Sequence, residues 1–107
     1  MRQAQQDADH GPLWVLPGPP AEALAELGRR GITRVFCEGG GQLAAALLVE
    51  GLVDELVGHT AGVVLGGDGR AAVAPMELAA LADAPRFRLA ETWALGGDVF
   101  HRWVRDA

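Results

Sequence analysis

The stretch VFCEGGGQLAAALLVEGLVDEL, residues 35–56, joins a β-prone run to an alanine-rich amphipathic segment through one glutamate and three glycines. Residues 32–37 (ITRVFC) are rich in β-branched and aromatic side chains and predict a strand. Residues 42–50 repeat apolar side chains at helical spacing and predict a helix that ends at Gly51. The stretch therefore predicts a strand, a glycine turn and a helix.

Gly39, Gly40 and Gly41 stand at the turn between the predicted strand and the predicted helix. In open α/β sheets, ligands bind beyond the carboxyl ends of the strands, where the first turn of the next helix offers N–H groups to an anion. Backbone without Cβ atoms lets a phosphate of a nucleotide cofactor approach closely. A tight turn with no ligand explains the same glycines, so both interpretations stay open.

Glu38 occupies the last position of the predicted strand, beside the glycines. A carboxylate there would repel a phosphate, so it is better suited to accept hydrogen bonds from a second ligand that carries amino, ring N–H or hydroxyl donors. Alternatively, Glu38 caps the following helix by accepting from its free N–H groups.

The rest of the chain predicts alternating elements that end in a hairpin. Residues 1–11 are polar and without a hydrophobic period, which predicts an N-terminal arm ahead of one domain at 12–107. Along that domain the patterns predict strands at 13–16, 32–37, 56–65, 87–93 and 99–104, helices at 21–30, 42–50 and 76–81, and a loop at 66–69. This order predicts an α/β fold with a mostly parallel sheet, flanking helices and a C-terminal antiparallel β-hairpin.

Composition and charge exclude several classes of function. The chain has 107 residues and a net charge of −5, which is unsuited to binding a nucleic acid. Its apolar runs are too short for a membrane span, and a single cysteine, Cys37, with no secretory leader predicts a cytoplasmic location. His10, His59 and His101 are scattered, so no metal site is predicted.

The runs GITRVFCEGGGQLAAALLVEGLVDEL, VVLGGDGR and LGGDVFHRW resemble the C-terminal reductase domain of the bifunctional riboflavin-biosynthesis deaminase/reductase. The resemblance covers residues 13–104, and its most specific part is EGG, an alanine-rich helix and GLVDEL at this spacing. It implies a dihydrofolate-reductase-like fold and the NADPH-dependent reduction of the ribosyl group of 5-amino-6-(5-phosphoribosylamino)uracil to ribityl. By matching positions, it implies that Glu38 contacts this pyrimidine substrate. The cofactor is then expected to bind along the turn and the helix N-terminus, at Gly39, Gly40, Gly41, Gln42, Leu43 and Ala44.

The matched part is the C-terminal half of that domain, and the chain contains no lysine, whereas the family carries one in the other half. Three interpretations stay open: a truncated gene product, one partner of a split enzyme, or a catalytically inactive reductase-like module acting in nucleotide binding or oligomerisation. No catalytic residue is assigned. Because a partial sheet exposes an apolar edge, we expect a homodimer or association with the missing N-terminal half.

Overall fold

The computed structural model describes residues 14–16 and 18–106. The predicted polar arm at residues 1–11 lies outside the described residues, as does the first residue of the strand predicted at 13–16. The remaining residues of that segment, 14–16, form no strand. The chain divides into two compact units, Met1–Val35 and Phe36–Ala107.

The first unit contains helix α1 (Pro20–Arg29), which confirms the helix predicted at 21–30. A proline begins the helix, where its missing N–H is not needed, and Gly31 follows its end with φ of +87°. Glu26 accepts hydrogen bonds from Arg29 at 2.8 Å and from Arg30 at 2.7 Å, so opposite charges one turn apart hold the last turn together.

The second unit begins with helix α2 (Gly41–Val49), which confirms the helix predicted at 42–50. Gly51 follows it with φ of +68°, the left-handed conformation that ends many helices. Ala45 and Leu48 on this helix are 6% and 8% exposed, and no other described residue is buried. The core of the described chain therefore centres on α2.

Three strands form the sheet of the second unit: β1 (Glu55–Thr60), β2 (Phe87–Leu95) and β3 (Asp98–Arg105). Their order is β1–β3–β2, and both pairings are antiparallel. A two-residue turn at 96–97 joins β2 to β3, with Gly96 at φ of +60°, which confirms the predicted hairpin. One extra residue in β2, Ala90, interrupts its register with β3.

The prediction of a mostly parallel sheet is wrong for the residues that the structure describes. Residues 32–37 have a β-prone sequence but form no strand, and all six are exposed. A strand exists only where a neighbour supplies hydrogen-bond partners, and no described segment supplies them to this run. The sheet instead consists of antiparallel strands from the C-terminal half of the chain.

Three further predictions differ in detail from the observed elements. The strand predicted at 56–65 ends at Thr60. The helix predicted at 76–81 is absent, and a 3-10 turn occurs instead at Leu81–Asp83. The loop predicted at 66–69 contains a second 3-10 turn, Gly66–Asp68.

Candidate functional site

The predicted site lies where an exposed, irregular segment enters α2. Residues 31–40 are all exposed, and Gly40 is the N-cap residue of α2, with φ of −73° and ψ of −179°. Gly39 and Gly41 likewise do not have a positive φ. This turn therefore does not use the left-handed freedom of glycine, and only the missing Cβ atoms distinguish these positions.

The three glycines have different surroundings. A Cβ on Gly39 would lie 2.6 Å from Cδ2 of Leu43, the movable end of a side chain. A Cβ on Gly41 would lie 3.1–3.2 Å from backbone atoms of residues 71–74, and the Gly41 carbonyl accepts a 3.0 Å hydrogen bond from the N–H of Ala74. A Cβ on Gly40 would meet nothing within 4 Å. The missing Cβ of Gly41 thus lets residues 71–74 of the same chain pack closely, whereas Gly40 faces open space that a ligand can enter.

The first turn of α2 offers N–H groups to an anion. The N–H of Ala44 donates to the Gly40 carbonyl at 3.1 Å, as the first bond of the helix. The N–H groups of Gly41, Gln42 and Leu43 precede that bond and have no acceptor within the helix. No acidic residue lies in this turn to occupy them, and the helix dipole is positive at this end. These N–H groups and the helix dipole favour a phosphate at the first turn of α2, provided that it binds away from the Glu38 carboxylate.

Glu38 lies two residues before the N-cap and is exposed. The cap of α2 has no side-chain hydrogen bond, so the interpretation of Glu38 as a capping residue is not observed. Within the described residues its carboxylate makes no side-chain hydrogen bond or ion pair. Both oxygens can accept hydrogen bonds from a ligand.

A groove of about 680 Å³ runs beside α2. Gln42 and the C-cap residue Glu50 line it from α2 and its end, and Pro75, Met76 and Glu77 line it from the segment that follows residues 71–74. Glu77 has φ of +56°, the only positive value among described residues other than glycine. Sequence reasoning missed this segment, because its alanines carry no chemical signal.

Other kinds of site find no support in the described residues. No group of three or more His, Cys, Asp or Glu side chains there is arranged to hold a metal ion. Cys37 is exposed and free. In the part of the chain that the structure covers, neither helix has the length and hydrophobicity that a bilayer-spanning segment needs.

Comparison with known proteins gives a consistent result. Residues 6–101 match the protein family described as RibD C-terminal domain. The chain is 42% identical over 76 residues to the riboflavin biosynthesis protein RibD of Escherichia coli K12, covering 71% of this chain and 21% of that protein. It is 30% identical over 111 residues to the protein of the same name from Haemophilus influenzae, covering 84% and 30%.

Solved structures of Acinetobacter baumannii RibD, in two forms, share this fold. Form 2 has a TM-score of 0.79 and 30% identity, and the match covers 95% of this chain and 29% of that one. Form 1 has the same TM-score and identity, with coverage of 96% and 29%. The likeness to RibD is thus confirmed in sequence and in fold. The chain spans between about a fifth and a third of the length of these relatives.

Proposed function

This chain belongs to the RibD C-terminal domain family, and on that premise we propose that it acts in riboflavin biosynthesis as part of an NADPH-dependent reductase. The reaction that we propose is reduction of the ribosyl group of 5-amino-6-(5-phosphoribosylamino)uracil to ribityl. The names of the curated relatives support the pathway. The resemblance of the EGGGQL run supports the cofactor and the substrate.

The observation that carries this proposal is the open, unpaired first turn of α2. The free N–H groups of this turn and the empty space beside Gly40 suit a cofactor phosphate. We propose that Gly40, Gln42 and Leu43 contact the cofactor, and that Gly39, Gly41 and Ala44 shape the turn. Gly41 does so by letting residues 71–74 pack against the helix start.

Glu38 is the residue that we propose for the substrate. It has no partner in the described chain, so its oxygens are free to accept from the amino and ring N–H groups of a pyrimidine. Only Gly39 separates it from the N-cap residue Gly40, a span of about 7 Å in extended chain. A substrate at Glu38 would therefore lie next to a cofactor at α2. The bound cofactor would supply the hydride, and these residues would bind and orient the two molecules.

The test is a titration of the chain with NADPH and, separately, NADH, followed by nicotinamide fluorescence. Gly40→Val should lower NADPH affinity at least tenfold while the chain stays folded, because the extended backbone and open surroundings accept a side chain; valine is a poorer N-cap than glycine, so a loss of about 1 kcal/mol of stability is expected. Gly62→Val is the matched control, since a Cβ there also meets nothing within 4 Å. Equal affinity in Gly40→Val and wild type would refute the placement of the cofactor.

Glu38→Gln provides the second arm of the test. It should keep NADPH affinity and weaken binding of the pyrimidine substrate. The carboxylate of Glu38 only accepts hydrogen bonds, whereas the amide of glutamine has one accepting oxygen and one donating NH2 group. Unchanged substrate affinity would exclude Glu38 as the substrate contact.

A second candidate function is a catalytically inactive module that associates through apolar surface. Several large apolar side chains of the second unit are exposed, among them Val64 at 95% and Leu81 at 81%. Such exposure is typical of a surface that a partner covers. We propose a second copy of the chain, or the other half of a reductase domain, as that partner. Sedimentation equilibrium showing a dimer, together with no NADPH binding at millimolar concentration, would favour this function over the reductase.

A further inference from the structure

His101 of β3 lies directly across from Gly58 of β1. A Cβ on Gly58 would overlap the imidazole ring, lying 2.7 Å from its Nδ1 and 2.9 Å from its Nε2. Only glycine therefore lets the ring of His101 occupy this position over the neighbouring strand. The absence of a side chain at residue 58 places the imidazole between two hydrogen-bonding neighbours.

Those neighbours determine which nitrogen of His101 carries the proton. The indole Nε1 of Trp103 lies 2.8 Å from Nδ1 of His101. An indole N–H can only donate, so Nδ1 must be the bare, accepting nitrogen, and the proton of the neutral ring lies on Nε2. Nε2 faces Oγ1 of Thr60 at 3.3 Å, and that hydroxyl can accept. The arrangement requires a neutral imidazole.

No carboxylate of the described sheet faces His101. Its other register partner is Thr92 of β2, which is uncharged, as are Gly58 and Thr60 of β1. Within the described sheet, register and alternation leave Arg105 as the one charged residue on this face, and Arg105 pairs with Asp54 at 2.8 Å. A second proton on Nδ1 would point at the indole N–H.

The histidine on the opposite face of the sheet, His59, has a carboxylate as its partner. Nε2 of His59 lies 2.7 Å from the carboxylate of Asp98, and its ring stacks on Phe100 at 4.5 Å. The other charged residues on that face are Arg88 and the cluster that Arg102 forms with Glu55 and Glu91. A positive charge on His59 thus strengthens an existing contact.

We propose that the hydrogen bond from Trp103 to His101 breaks when the imidazole of His101 is protonated. Protonation of His101 adds a proton to Nδ1, so the indole N–H of Trp103 loses its acceptor. The Trp103 side chain is then released from the β1–β3 face. The His59–Asp98 contact on the opposite face survives the same change. Acid therefore removes the Trp103–His101 hydrogen bond on one face of the sheet and keeps the His59–Asp98 contact on the other.

Nitrogen NMR of the whole, ¹⁵N-labelled chain tests the proposal. At pH 8 the imidazole resonances of His101 should report the Nε2–H tautomer. The Trp103 indole N–H, assigned with Trp103→Phe, should exchange with solvent about five to ten times more slowly than that of Trp93. Trp93 stacks on Phe100 on the other face and serves as the internal reference. At pH 5 the difference should vanish.

Two variants distinguish the effect of protonating His101 from a general effect of acid on the chain. His101→Gln keeps an acceptor that does not titrate, so protection of Trp103 should persist at pH 5. His59→Gln should leave the pH response of Trp103 unchanged. The proposal is overturned if the pH 8 spectrum shows the Nδ1–H tautomer, or if Trp103 behaves alike at both pH values. These two wild-type measurements decide the matter even if His101→Gln does not fold.

Discussion

Replacing Gly58 with alanine should destabilise the chain, against the general preference for alanine over glycine in a strand. The new Cβ would overlap the His101 ring, which must rotate away and give up its contacts with Trp103 and Thr60. Each lost hydrogen bond costs about 0.5–1.5 kcal/mol, or about 1–3 kcal/mol for two. Alanine recovers about 0.5–1 kcal/mol of backbone entropy. The expected net loss therefore lies between about 0 and 2.5 kcal/mol, centred on about 1 kcal/mol.

A double-mutant cycle shows whether the ring is the cause. In a His101→Ala background both hydrogen bonds are already gone and the space is empty, so Gly58→Ala should stabilise by about 0.5–1 kcal/mol. Equilibrium unfolding in urea, followed by circular dichroism, measures all four proteins. Thermal midpoints should change by about 4–8 °C per kcal/mol. If Gly58→Ala destabilises equally with and without His101, the steric reasoning is wrong.

Three other predictions follow from charge and backbone conformation. Hydrogen bonds that Arg102 donates to Glu91 and Glu55 raise the pKa of Arg102, so Arg102→Gln should leave two carboxylates unpaired and lower the urea midpoint, less so in about 1 M salt; an effect independent of salt would contradict this. Hydrogen bonds from Arg30 and Arg29 lower the pKa of Glu26 below its ordinary 4.5. Its stabilising contribution is thus present above pH 4.5 and lost as pH falls through the lowered value, and the NMR titration midpoint of its carboxyl should move toward 4.5 in Arg30→Ala. Glu77→Gly should raise the free energy of unfolding by up to about 1 kcal/mol, and with it the thermal midpoint, because φ of +56° strains any residue with a Cβ. A lower midpoint would show that Glu77 makes a compensating contact.

Sequence signals within a few residues of each other correctly predicted helix α1 and the β2–β3 hairpin, whose conformations depend on neighbouring residues. Helix α1 follows from a proline at its start, apolar spacing and Gly31 after its end. The hairpin follows from paired glycines between two β-prone runs. These signals act within a few residues, so no knowledge of the rest of the chain is needed to interpret them. The run EGGGQL and its neighbours were also sufficient to identify the RibD family.

The same signals failed where the outcome depends on a distant partner. The run at 32–37 has the composition of a strand, but no described segment pairs with it, so the parallel sheet was wrong. At the glycine turn, the sequence could not distinguish Gly40, which faces open space, from Gly41, which packs on residues 71–74. That contact joins segments 30 residues apart, and the alanines that form it have no distinguishing pattern.

The sequence by itself determined the two helices, the hairpin, the family and the position of the glycine turn. Only the tertiary structure decided that β3 lies between β1 and β2, and that Trp103 donates to a His101 seated over Gly58. The physical reason is that periodicity and turn residues specify backbone conformation over short spans. Strand order, steric room and hydrogen-bond partners depend instead on which distant backbone lies alongside.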